Sequence, residues 1–138
     1  MQEEENMVVK HDGNPVPVEL WGKDHIITLL YIETRCVDYK GAVAPQHMRS
    51  HPTRSHPAAL SGGAYPTRLA DGSELYDHDD WDCLYDLKAA GLLEWPSKPS
   101  LPQNVRMTNK GWAVAHRLRR AGAENDMISL QEIFREVP

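Results

Sequence analysis

Seven histidines, two cysteines and a crowd of aspartates are the side chains here that could ligate a metal or move a proton. His47, His51, His56, His78, Asp79 and Cys83 fall within 37 residues. His47 and His51 have the spacing of two ligands on a helix, but Pro52 breaks that helix, and no Cys-x-x-Cys or His-Glu-x-x-His pattern completes a site. Scattered histidines are ordinarily solvated or capping, so the residues predict no metal and no cofactor. Catalytic patterns are weaker still: there is no Gly-x-Ser-x-Gly, no glycine-rich phosphate loop and no Cys/His pair in a recognisable setting. His116 is expected on the exposed side of its helix. The chain reads as a binding protein rather than an enzyme.

Charge is more informative than chemistry. The net charge of -5 argues against unspecific polyanion binding, yet it averages over blocks of opposite sign. Residues 41–70 carry Arg49, Arg54 and Arg68 with three histidines and no acid. Residues 71–87 carry seven acids and no Lys or Arg, and residues 95–123 carry six bases and no acid.

The elements that must position these groups fit one domain of ordinary composition, 41% hydrophobic and 25% charged. No apolar run approaches a membrane span, the acidic start Met1–Glu5 is wrong for a secretory signal, and Cys36 and Cys83 are too few for a disulfide framework. The expected setting is cytoplasmic, with no membrane contact. Residues 1–6 read as a disordered acidic leader to a single domain over 7–138. Residues 7–10 and 15–18 read as an N-terminal hairpin around Asp12-Gly13. Asp24 is placed to cap a helix to about Tyr39, stopped by Gly41, with Ile26, Leu29, Leu30, Cys36 and Val37 near one face and Glu33 interrupting it. A short strand at 42–44 and a brief helix at 45–49 follow. Residues 50–76 form an insertion, irregular at first because of its His-Pro pairs and ending in a small hairpin around Asp71-Gly72. A helix from Asp79 or Asp80 to Ala90 buries Trp81, Leu84 and Leu87. Residues 92–95 and 105–107 should pair across a proline-rich loop. Thr108 should cap a helix to Arg120, and Ser129 with Glu132 should form a capping box for a last short helix.

Two motifs frame that loop: Leu87-Lys88-Ala89-Ala90-Gly91-Leu92-Leu93, then Met107-Thr108-Asn109-Lys110-Gly111. Their order and separation resemble the end of winged helix-turn-helix domains, the MarR-like and PadR-like regulators above all. Gly91 supplies a left-handed helix stop and Thr108 a cap. The resemblance covers residues 81–120. It implies an α+β winged helix, here with the N-terminal hairpin as an extension and the 50–76 insertion ahead of the recognition-type helix.

What the resemblance implies about function is double-stranded DNA binding by a transcriptional regulator of bacterial or phage type. Phosphates would be met by Lys98, Arg106, Lys110 and Arg117, with Arg49, Arg54 and Arg68 of the insertion reaching the backbone or minor groove. The recognition-type helix opposes this, because Asp77, Asp79, Asp80, Asp82 and Asp86 stand where bases and phosphates would be met. Acids in a first helical turn also serve the helix dipole without any partner. The alternative is a winged-helix adaptor or inhibitor whose acidic segment 71–86, through Asp77, Asp79, Asp80 and Asp82, docks on a basic protein. The last helix bears Leu130, Ile133 and Phe134, which must be covered by its own chain or by a second subunit, and a homodimer is the expectation.

Overall fold

The computed structural model describes residues 8–10, 14–42, 67–76, 78, 80–96 and 104–138. Four α-helices and two small sheets make up these residues, an α+β arrangement. In chain order they are β1 (Val8–Lys10), α1 (Lys23–Asp38), β2 (Thr67–Arg68), β3 (Glu74–Tyr76), α2 (Asp80–Ala89), β4 (Leu93–Glu94), β5 (Arg106–Met107), α3 (Asn109–Ala123) and α4 (Leu130–Glu136). No helix among them is long and apolar enough to cross a membrane.

The N-terminal hairpin does not form. β1 pairs in parallel with β3, which also pairs antiparallel with β2, giving the order β1-β3-β2. Residues 15–17 are not strand, and Val18–Leu20 is a single 3-10 turn. The reason is local. Pro15 and Pro17 have no N–H to give a ladder, and the one donor between them, Val16 N–H, goes to the Asp86 carboxylate at 2.9 Å.

α1 also departs from expectation at its start. Gly22 caps it, while Asp24 lies two residues on, within the first turn, fully buried and turned toward Arg68. Its buried face is carried by Leu29, Ile32 and Cys36, and Val37 is 66% exposed instead of joining the core. The hairpin around Asp71-Gly72 forms with Thr67 opposite Leu75 and Arg68 opposite Glu74. Asp71 builds its turn by accepting from the Ser73 amide (2.9 Å) and hydroxyl (2.6 Å).

The two motifs around the second sheet lock to each other. β4 and β5 pair antiparallel, Leu93 opposite Met107 and Glu94 opposite Arg106, between α2 and α3 as the spacing predicts. Gly91 ends α2 at φ 84°, a backbone region that strains any residue with a Cβ. Thr108 caps α3 by accepting from Gly111 N–H (2.9 Å) and donates its own proton to the Gly91 carbonyl (2.6 Å). Gly111 lies so close to the preceding turn that an added Cβ would stand 2.1 Å from the Leu92 carbonyl oxygen.

Around this frame Leu84, Leu87, Leu92, Val105, Val114, Ala115 and Ile133 form a continuous core with Trp21 and Ile32. α4 begins with the expected capping box of Ser129 and Glu132. Its apolar side is covered by its own chain: Leu130 and Ile133 are buried, and Phe134 meets the Trp21 ring edge-on at 6.2 Å. Gln131 fastens it further, donating to the Val18 (2.9 Å) and Trp21 (3.1 Å) carbonyls. The homodimer expectation rested on that face, whose Leu130 and Ile133 are covered within the chain. The expected leader 1–6, strand 42–44 beyond its first residue, helix 45–49 and the wing tip lie outside the described residues.

Candidate functional site

Four polar side chains meet where α1 passes the start of α2. His25 comes from the first turns of α1, His78 from the residues just before α2, and Cys83 and Asp86 from α2 itself, one turn apart. All four are buried, and one ligand-type atom from each lies within 4.8 Å of all the others. Both imidazole Nε2 atoms converge on one oxygen, Asp86 Oδ2, from His25 at 2.8 Å and from His78 at 2.7 Å. The other oxygen of Asp86 accepts the Val16 amide.

Surrounding groups orient this cluster. The His25 ring stacks on Trp21 with centroids 5.1 Å apart and planes 4° from parallel. Trp21 is itself fixed by its indole N–H, which donates to the Val16 carbonyl at 2.8 Å. Thr67 on β2 places its hydroxyl 2.7 Å from His78 Nδ1 and 2.8 Å from the His78 carbonyl. A hydroxyl has one proton, and a carbonyl can only accept it. With that proton on the carbonyl, Thr67 accepts from His78 Nδ1–H, so His78 Nε2 turns either a lone pair or a second proton toward Asp86.

Burial disfavours charge on His25 and lowers its pKa below the ordinary value, against the raising influence of the Asp86 hydrogen bond. Burial pushes the Asp86 carboxyl up, but hydrogen bonds from His25, His78 and the Val16 amide outweigh it and hold the carboxyl below its ordinary range. A neutral imidazole beside a carboxylate follows. His25 Nδ1 is buried with no hydrogen-bond partner among the described residues, an omission that costs about 1–3 kcal/mol in a packed interior.

The residues singled out for DNA are placed unequally. Arg106 is exposed on β5, and Lys110 is half-buried with its ammonium 3.9 Å from the centre of the Phe134 ring. Arg68 is engaged by buried Asp24, which accepts its guanidinium at 2.5 Å and its backbone amide at 2.8 Å. Arg117 pairs with Asp126 at 3.1 Å. Arg119 pairs with buried Glu33 and donates to the Thr34 hydroxyl (2.9 Å) and Leu30 carbonyl (3.1 Å), so the acid that interrupts the stripe of α1 binds α1 to α3. His116 lies exposed beside the same Glu33 at 3.3 Å. Lys98, Arg49, Arg54, Asp77 and Asp79 lie outside the described residues. Asp80 opens α2, Asp82 is half-buried on it, and Asp86 faces the interior rather than a groove.

The sequence does not announce this cluster. His78 and Cys83 group by spacing with His47, His51, His56 and Asp79, whereas the partner that matters, His25, lies 53 residues upstream of His78. The available signal was Cys83-x-x-Asp86, two ligand types on one helix face just after a histidine. No protein-family model, curated protein or solved structure matches the chain.

Proposed function

We propose that the chain is a winged-helix DNA-binding protein of the transcriptional-regulator kind, binding rather than catalysing. The observation that carries the reading is the β4–β5 hairpin between α2 and α3, with Arg106 exposed on its returning strand. In such a fold the hairpin is the wing and α2 the helix offered to the major groove. Lys98 in the wing loop, Arg106, and Lys110 at the start of α3 would meet phosphates, with Arg54 as the contact from the insertion. The burial of Asp86 supports the reading, since it takes one carboxylate off the groove-facing side of α2. The outer side of α2 holds Tyr85 and Lys88, both resting on the Trp95 ring.

The pairing of Arg117 and Arg119 with acids of this chain thins the basic surface of α3. That favours the second reading, a winged-helix adaptor whose remaining acids dock on a basic protein. A titration of labelled duplex DNA at several salt concentrations separates the two. With Lys98, Arg106, Lys110 and Arg54 on phosphates, log affinity should fall against log salt with a slope of about -3.6. No binding of the intact chain at low salt sinks the DNA reading and leaves the adaptor.

A further inference from the structure

We propose that His25, His78, Cys83 and Asp86 are the four ligands of one structural zinc ion, which fastens α1 to the start of α2. This does not rest on the DNA reading. The donor set is two imidazoles, one thiol and one carboxylate, the types that tetrahedral zinc takes. All four donors are buried and together fill every position, so the site resembles structural centres rather than catalytic ones that keep a place for water. Zinc–ligand bonds of roughly 2.0–2.3 Å set donors about 3.3–3.8 Å apart. The observed spread, within 4.8 Å with two contacts of 2.7–2.8 Å, needs only small side-chain movements to meet that figure.

Charge and proton placement agree. A thiolate and a carboxylate neutralise a divalent cation, which makes the buried centre uncharged overall, and the thiol proton of Cys83 leaves to solvent on binding. Much of the second shell is built, though His25 Nδ1 has no hydrogen-bond partner among the described residues. Thr67 can take the Nδ1–H of His78 and so turn its Nε2 lone pair inward; the Val16 amide holds Asp86; Trp21 stacks on His25. Hydrogen bonding alone explains the cluster less well. It brings the Cys83 thiol within 3.8 Å of the Thr67 hydroxyl. With the Thr67 proton on the carbonyl, it also sets either a lone pair or a buried extra proton on His78 against Asp86.

The test is cobalt substitution in the full chain. The protein is freed of metal with a chelator and titrated with cobalt(II), whose visible absorption reports tetrahedral geometry and whose near-ultraviolet band reports a thiolate ligand. One equivalent should produce both signals, and zinc should abolish them. Cys83→Ser should remove the thiolate band, whereas Cys36→Ser and the double variant H51A/H56A should keep it. Should Cys83→Ser fold poorly, total zinc in the purified wild-type chain decides: one ion per chain agrees, and none after growth in zinc-rich medium overturns the proposal. Absence of the thiolate band in wild type, or its survival in Cys83→Ser, also overturns it.

Discussion

The inner face and the far end of α2 are held by different chemistry. Its inner face is gripped by side chains distant in sequence: Asp86, in the second half of the helix, reaches His25 across 61 positions and the Val16 amide across 70. Its end is held by a backbone stitch, where Thr108 bonds the Gly91 carbonyl across 17 positions and Gly111 packs on Leu92. The first junction uses buried polar groups that are costly when any partner is missing. The second uses a left-handed glycine, a cap and close backbone approach. A helix anchored in both ways presents one defined outer side, whatever partner it meets.

Single substitutions at each junction should separate the two. Asp86→Ala takes the shared acceptor from both histidines and from the Val16 amide, and should cost about 3–5 kcal/mol in denaturant unfolding, the largest loss of the set. Gly111→Ala should cost about 3 kcal/mol, because its Cβ meets the Leu92 backbone and no flexible side chain can yield. Gly91→Ala meets no atom within 4 Å but must hold φ 84°, so about 1–2 kcal/mol is expected. Thr108→Ala should cost a similar 1–2 kcal/mol through loss of the cap, with Thr108→Ser recovering most of it. Gly91→Ala proving costlier than Gly111→Ala would show that helix stopping, not close approach, governs the stitch. The smallest effect on stability belongs to Arg106→Ala, about 0.5 kcal/mol or less at an exposed site. If the wing meets phosphates, the same variant should flatten the salt dependence of DNA binding by about one unit.

The same contrast explains what could be read from the sequence. Gly91-Leu92-Leu93 and Met107-Thr108-x-x-Gly111 work through local backbone geometry, so residue type and short spacing announce the stitch, and the β4–β5 pairing followed from them. The capping box at Ser129 was legible for the same reason. Asp24 deceived, because a carboxylate near a helix start reads as a cap, and only the tertiary fold brings Arg68 to it. Asp86 deceived in the same way: as one of seven acids in a run it looked like surface charge, yet its place on the inner face of α2 aims it at two histidines. Long-range polar clusters leave no periodic trace, since their members obey no common spacing.

Hydrogen exchange in the Asp86→Asn variant tests the independence of the two junctions most directly. This substitution keeps the size of Asp86 and removes its charge. The Val16 amide, which the Asp86 carboxylate accepts, should exchange at least tenfold faster than in the wild type. The amides of Leu92, Thr108 and Gly111, which bond within the stitch, should keep their protection. Equal acceleration at both junctions, or none at either, would contradict the account.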